Sequence, residues 1–177
     1  MQPERDQFVL YHTEDIQKAT KRMALEIDEF IQSSASRPIL ICILGGAFMF
    51  MADLCRAITV PHDVDFMKVS SYEGTTSTGH VTMKLDCTMD LADRDVILVE
   101  DIVDTGTTMH HLIDLLKTRN PKSVSIATLL SKPSKLRHDL GNHLRFIGYE
   151  IDDVFVYGYG MDDADGGNRH LSEILKK

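Results

Sequence analysis

The chain alternates between two patterns of hydrophobic and polar positions. Short continuous apolar runs, typical of buried strands, lie at 38–44 and 96–99, and a further strand is expected over 123–130. Apolar residues at helical spacing follow the first two runs, over 48–58 and 109–116. Strands that alternate with helices predict an α/β fold, in which helices flank a central, mostly parallel sheet. Ligands of such sheets bind beyond the carboxyl ends of the strands, so the residues that follow each run are the first candidates for a site.

Weaker patterns outside this region predict the remaining elements. Residues 16–31 carry one apolar stripe, which predicts a helix with Thr13 at its cap and Glu14 and Asp15 in its first turn. Residues 171–177 predict a short, weak helix. Further strands are expected where apolar residues recur in short segments, at 64–70, 81–85, 146–147 and 154–157.

Length, charge and cysteine content narrow the class of protein. A chain of 177 residues is the size of one domain. A net charge of −8 argues against a nucleic acid or an anionic membrane as partner, because either would require a basic face. No apolar stretch is long enough to span a bilayer, and the polar residues 1–6 predict no signal peptide. Three cysteines without a Cys-x-x-Cys spacing fit reduced thiols, so a cytoplasmic protein is expected.

The most specific pattern is a group of acidic residues followed by a small polar turn. The apolar run at 96–99 leads into Glu100 and Asp101, a third acid follows at Asp104, and residues 105–108 read Thr-Gly-Thr-Thr. Small residues at a helix N-terminus leave backbone N–H groups that can hold a phosphate. Carboxylates repel a phosphate, so three of them beside it predict a ligand that also offers hydroxyl groups and a metal ion or a proton.

A helix cap with incidental acids is the alternative explanation, because acids near a helix start complement the helix dipole. Two acids directly at the end of an apolar strand are costly to bury unless they are used, which favours a ligand site. The segment is not a Walker A loop, since Gly-Lys-Ser/Thr is missing. It is not a dinucleotide-binding loop either, since Gly-x-Gly-x-x-Gly is missing.

Residues 96–108 resemble the phosphoribosyl-pyrophosphate (PRPP) motif of the type I phosphoribosyltransferases: an apolar strand, two acids, then Asp-Thr-Gly and small residues. Three further segments resemble the hypoxanthine-guanine branch of that family. Residues 70–79 look like its long flexible loop, Lys132 like its purine-contacting lysine, and residues 155–162 like its segment over the base. The resemblance implies that family's fold: a core over about residues 36–145 and a small hood from about residues 1–12 and 146–177.

The resemblance also implies roles for the acidic motif. Glu100 and Asp101 would bind the ribose diol and Mg²⁺, with Asp162 as a further metal ligand. Asp104 would act as general base toward N7 of the purine, or orient its proton. The 5′-phosphate would be held by the residues of the small turn, Thr105, Gly106, Thr107 and Thr108.

Residues outside the motif would contact the leaving group and the base. Pyrophosphate would bind to Gly45, Gly46 and Arg169, and Gly45 stands where the family commonly has lysine. The peptide after Leu44 is expected to be cis by the same resemblance. The purine would be bound by Lys132, Phe155, Val156 and Asp162. The lid over the site would include Ser70, Ser71 and Tyr72.

Simpler explanations stay open for three of these features. A lone lysine such as Lys132 is usually solvated, Phe155 fits core packing about as well as stacking on a base, and residues 70–79 have the composition of an ordinary mobile linker. The position of Lys132 after a buried strand and before Pro133 favours a role in recognising the base. Its ammonium would donate to O6 of a 6-oxopurine and disfavour a 6-amino group, which presents a donor instead.

The function implied by the resemblance is a Mg²⁺-dependent transfer in purine salvage. PRPP and a 6-oxopurine, hypoxanthine and also guanine, would give IMP or GMP and pyrophosphate. One alternative is a transferase for another base, such as xanthine or a pyrimidine. Another is a regulator that binds PRPP without catalysis. The family also implies a homodimer or homotetramer.

Overall fold

The computed structural model describes residues 8–32, 36–71 and 81–177. The helices are α1 (Thr13–Ile31), α2 (Phe48–Ala57) and α3 (Thr107–Lys117). The strands of the large sheet are β2 (Ile39–Leu44), β3 (Asp63–Ser71), β4 (Val81–Leu85), β5 (Asp95–Val103), β6 (Ser123–Ser131) and β7 (Leu144–Glu150). The strands of the small sheet are β1 (Val9–Tyr11), β8 (Val156–Tyr157) and β9 (Ile174–Lys176).

The large sheet has the strand order β4-β3-β2-β5-β6-β7. All of its neighbouring strands are parallel except β3 and β4, which are antiparallel. Its central strands are covered on both faces, which explains why they appear in the sequence as continuous apolar runs. In β2, Leu40 and Cys42 pack with α1 and α2, while Ile39 and Ile41 pack with α3. The predicted α/β class with a mostly parallel sheet is confirmed.

The small sheet is antiparallel, with β9 between β1 and β8. The prediction of a weak helix over 171–177 is wrong. Ile174 and Leu175 are buried, and the backbone of β9 pairs on both sides, with residues 9–11 and with residues 156–157. Pairing on both edges satisfies more backbone groups than one isolated helical turn could.

The start of α1 and the position of β7 also differ from the sequence interpretation. His12 occupies the cap position of α1, and its backbone N–H donates to Asp15 Oδ2 at 3.3 Å. Thr13 is the first helical residue instead, and its hydroxyl donates to the carbonyl of Ser172 at 3.2 Å. β7 pairs with β6, so residues 146–150 lie in the large sheet. The division of the chain into core and hood stays a prediction.

A buried carboxylate joins α1 to the segment after α2. Asp28 accepts hydrogen bonds from the backbone N–H groups of Thr59 and Val60, each at 3.0 Å, and from the Thr59 hydroxyl at 2.7 Å. Burial by itself raises the pKa of Asp28, but these hydrogen bonds outweigh it, and the net pKa lies below the usual value of 3.8. The ionised carboxylate therefore stabilises the fold.

Replacing Asp28 by asparagine should lower the free energy of unfolding by about 2 kcal/mol at pH 7, because an amide NH₂ would face N–H donors. The stabilisation by Asp28 is fully present above its unfolded-state pKa, near pH 4, and is lost as the pH falls through the lower folded-state pKa. Urea unfolding at pH 7 and at about pH 3 should show the difference between wild type and variant shrinking in acid. Asp114→Asn, on the exposed face of α3, is the control; an equal loss there would contradict this role.

Candidate functional site

The carboxyl ends of β2, β5 and β6 lie side by side and bring three candidate segments together. In the register of β5 and β6, Val103 is opposite Ser131, so the next residues, Asp104 and Lys132, are neighbours. In the register of β2 and β5, Cys42 is opposite Val99, so the loop after Leu44 lies next to the acidic pair in the same way. Parallel strand order thus explains why residues about 30 and 60 positions apart meet at one edge.

Glu100, which is buried, and Asp101, which is half-buried, form an acidic pair in the last part of β5. The backbone N–H of Asp101 donates to Glu100 Oε1 at 3.1 Å, and the N–H of Ile102 donates to Asp101 Oδ1 at 2.7 Å. Burial raises the pKa of Glu100 well above its usual range, and the charge of Asp101 adds to that rise; burial also raises the pKa of Asp101. Both acids would be stabilised in ionised form by a cation or by hydroxyl donors.

Gly46 packs directly against this acidic pair. A Cβ placed on Gly46 would lie 1.6 Å from Asp101 Oδ2, so no side chain fits there without displacing the carboxylate. The peptide between Leu44 and Gly45 is cis, as the family resemblance implies. The loop after β2 therefore brings its backbone, rather than a side chain, to the acids.

The turn before α3 has the form of a phosphate-binding loop. Gly106 occupies the cap position of α3 with φ of 77°, a backbone conformation that favours glycine, and it contributes no side chain to the helix N-terminus. The hydroxyl groups of Thr105 and Thr107 lie 3.1 Å apart, and the N–H of Arg137 donates to the Thr105 carbonyl at 2.9 Å. Thr108 follows in the first turn, so backbone N–H groups and hydroxyls are concentrated where an anion binds favourably.

Asp104 and Lys132 belong to a network of four charged side chains. Lys132 Nζ lies 3.4 Å from Asp104 and 3.4 Å from Asp153, and only 6% of its side chain is exposed. Lys135 Nζ lies 3.3 Å from Asp104 and 3.1 Å from Asp153. The hydrogen bond with Lys135 holds the pKa of Asp153 below its usual value. Lys132 is therefore a buried, doubly paired ammonium rather than a solvated lysine.

Asp153 and Lys135 are absent from the sequence-based site. Asp153 lies in an irregular segment after β7 and Lys135 in a 3₁₀ turn after β6, where no periodicity predicts which side chains meet. Two adjacent acids at 152–153, directly before the predicted strand at 154–157, were the only available signal.

Arg169 lies beside the loop after β2. Its guanidinium is 2.6 Å from Asp162 Oδ2 and donates to the carbonyl of Gly160 at 2.6 Å. A Cβ placed on Gly45 would lie 3.9 Å from Arg169 Nη1, so the arginine brings a positive charge to the position where Gly45 offers none. Residues 162–169 thus form a turn, and this turn brings Arg169 to the loop predicted to bind pyrophosphate.

The acids assigned to a metal do not form one cluster. Within the residues that the structure describes, no group of three or more His, Cys, Asp or Glu side chains is placed to hold a metal ion. Asp162 pairs with Arg169, apart from the pair of Glu100 and Asp101. Mg²⁺ commonly binds through one or two carboxylates together with water and substrate oxygens, so the acidic pair fits such an ion bound along with a phosphorylated substrate.

The remaining candidates lie at the small sheet and at the end of β3. Phe155 is 47% exposed, which fits a ring that stacks on a ligand better than one in the core, whereas Val156 is buried in β8. Ser70 and Ser71 end β3, and Tyr72, with the rest of the predicted lid, lies outside the described residues.

Among the helices in the described ranges, none has the length and apolar character needed to cross a bilayer.

Comparisons with known proteins agree with this arrangement. Residues 9–164 match the family model described as the phosphoribosyl transferase domain. The hypoxanthine phosphoribosyltransferase of Salmonella typhimurium is 42% identical over 163 residues, covering 92% of this chain and 90% of that protein. The hypoxanthine-guanine phosphoribosyltransferase of Bacillus subtilis is 40% identical over 158 residues, covering 89% of this chain and 86% of that protein. A solved hypoxanthine phosphoribosyltransferase from Staphylococcus aureus has a TM-score of 0.87 at 37% identity, covering 95% of this chain and 89% of that one.

Proposed function

Because the chain belongs to the phosphoribosyltransferase family, we propose that it transfers the 5-phosphoribosyl group of PRPP to a 6-oxopurine. Hypoxanthine, and also guanine, would give IMP or GMP and pyrophosphate in purine salvage. The observation that carries the proposal is the contact of Asp104 with the buried Lys132, directly beside the turn at Gly106. One edge of the sheet then offers a general base (Asp104), a hydrogen-bond donor for a 6-oxo group (Lys132) and an anion-binding turn at Gly106.

The acidic motif binds the ribose phosphate in this proposal. Thr105, Gly106, Thr107 and Thr108 hold the 5′-phosphate through backbone N–H groups and hydroxyls. Glu100 and Asp101 accept hydrogen bonds from the ribose diol and stabilise positive charge that develops at C1′ as the bond to pyrophosphate breaks. Bound Mg²⁺ would be held by this acidic pair and would neutralise pyrophosphate oxygens; Asp162 is the third predicted ligand.

The purine lies between the charged network and the small sheet. Lys132 Nζ donates to O6, Asp104 accepts the proton of N7 or orients it, and Phe155 stacks on the ring. Val156 and Asp162 complete the base pocket. The network supports this assignment because two carboxylates hold the buried ammonium of Lys132 beside Asp104.

The leaving group is bound at the loop after β2. Backbone groups of Gly45 and Gly46 and the guanidinium of Arg169 hold pyrophosphate. Ser70, Ser71 and Tyr72 belong to a lid that excludes water from the reacting centre. The protein is further proposed to be a cytoplasmic homodimer or homotetramer with one domain, divided into core and hood, with β7 belonging to the core because it lies in the large sheet.

Lys132→Ala should raise the KM for hypoxanthine about 10- to 100-fold, the loss expected for a hydrogen bond to a charged donor, with the dissociation constant of PRPP nearly unchanged. Steady-state kinetics and calorimetric titration with PRPP check the two values. Lys135→Ala is the matched control, because Lys135 pairs with the same two carboxylates but is 34% exposed. Equal losses of base and PRPP affinity in Lys132→Ala would remove the residue from base recognition.

A pyrophosphate-release assay with PRPP, Mg²⁺ and a panel of bases tests the proposed function. Turnover with hypoxanthine, and also with guanine, is the expected result. Turnover only with xanthine or a pyrimidine would assign the enzyme to another base. Tight PRPP binding without turnover of any base would identify a regulator instead.

A further inference from the structure

Three consecutive residues between β8 and Asp162 have a left-handed backbone. The φ angles of Gly158, Tyr159 and Gly160 are 95°, 47° and 97°. Glycine adopts this region readily, but for tyrosine it costs conformational energy and persists only where the surroundings determine it. Tyr159 is also 7% exposed, so a buried aromatic residue fixes the centre of this turn.

The side chain of Tyr159 attaches the turn to α2. Its hydroxyl donates to the carboxylate of Asp53, which also pairs with Arg56. Its backbone N–H donates to the carbonyl of Leu171 at 2.8 Å. Burial and the hydrogen bond with Asp53 raise the pKa of Tyr159, so the hydroxyl keeps its proton and remains a donor.

The other end of the turn touches both halves of the proposed pyrophosphate subsite. A Cβ placed on Gly160 would lie 2.1 Å from the carbonyl oxygen of Gly46. The N–H of Gly160 donates to the carbonyl of Arg169 at 2.9 Å, and its own carbonyl accepts from the Arg169 guanidinium at 2.6 Å. One backbone residue therefore sets both the position of the loop after β2 and the direction of the arginine.

We infer that Tyr159 is a positioning residue of the pyrophosphate subsite, which holds Gly160 against Gly46 and Arg169 by attaching the turn to Asp53. The inference rests on the proposed function, since it assigns Gly46 and Arg169 to the leaving group. Tyr159 itself lies behind these groups and acts through them. Its loss should weaken the binding of PRPP and pyrophosphate and leave the binding of the base intact.

The variant Tyr159→Phe tests this role, because it keeps the ring and removes only the hydroxyl. We expect the KM for PRPP and the inhibition constant of pyrophosphate to rise about tenfold, and the KM for hypoxanthine to stay within about twofold. The matched control is Tyr149→Phe, which removes a hydroxyl that donates to the carbonyl of Asp15 at 2.9 Å. That variant should lose thermal stability, with the KM for PRPP and the inhibition constant of pyrophosphate unchanged.

Two substitutions of the acceptor keep the test informative if Tyr159→Phe folds poorly. Asp53→Asn retains an oxygen that accepts from the tyrosine and should keep a nearly normal KM for PRPP, whereas Asp53→Ala should reproduce the rise. The role is overturned if Tyr159→Phe lowers only the thermal stability, or raises the KM of both substrates equally.

Direct calorimetric titration with magnesium pyrophosphate separates this inference from the proposed function. A wild-type protein that turns over no base refutes the function. The positioning role is then decided by whether Tyr159→Phe weakens pyrophosphate binding about tenfold, and equal affinities of the two proteins would overturn it.

Discussion

Replacing Asp104 by asparagine should lower kcat by about 10²-fold or more and leave the affinity for PRPP largely intact. Asparagine has nearly the same size and keeps one acceptor oxygen, but it cannot take a proton from N7 of the base. Asp104 directly follows β5, and its side chain is 40% exposed beside Lys132, so a purine base can reach it. Saturation kinetics give kcat, and calorimetric titration gives the dissociation constant of PRPP.

Asp153→Asn is the matched control for the loss of charge. Asp153 pairs with the same two lysines as Asp104, so its replacement changes the charge balance of the network equally. We expect its kcat to fall by less than about tenfold, because Asp153 is not assigned to the proton. Nearly normal kcat in Asp104→Asn would remove Asp104 from the base role. Equal losses in the two variants would assign the effect to the lysines instead.

The sheet and the arrangement of its loops could be predicted because their signals are strong and local. Strands buried on both faces appear as continuous apolar runs, and parallel order then places all their carboxyl ends at one edge. Parallel order places Asp104 and Lys132 at the same edge, and the pairing and register of β5 and β6 make them neighbours. The acids at Glu100 and Asp101 were recognisable for a related reason, since charge at the end of an apolar run is costly.

The small sheet and the charged network could not be predicted in the same way. β9 has three residues, and its strand form depends on pairing with β1 and β8 from distant parts of the chain. Lys135, in the 3₁₀ turn after β6, meets Asp153 in the irregular segment after β7. Local sequence contains no information on such pairings, because their energy comes from tertiary contacts rather than from propensity.

Gly46→Ala is expected to reduce kcat/KM for PRPP by about 10²-fold or more, because a displacement near 1 Å at a reacting centre can cost that much. The sequence shows a glycine here but not what lies against it. The added Cβ would lie 1.6 Å from Asp101 Oδ2, so the carboxylate or the loop must move. Moving Asp101 disturbs the proposed diol and Mg²⁺ site, and moving the loop disturbs pyrophosphate. Initial rates over a range of PRPP concentrations measure the loss.

Gly45→Ala is the control that separates the clash with Asp101 from a general sensitivity of the loop after β2 to any added side chain. Its Cβ would meet the Arg169 guanidinium at 3.9 Å, an ordinary contact with the end of a flexible side chain. We therefore expect a loss at least about tenfold smaller than for Gly46→Ala. The clash would be ruled out as the cause if the two variants lost activity equally. A fully active Gly46→Ala would mean that Asp101 can move away without cost, and Asp101 would then have no role in binding PRPP.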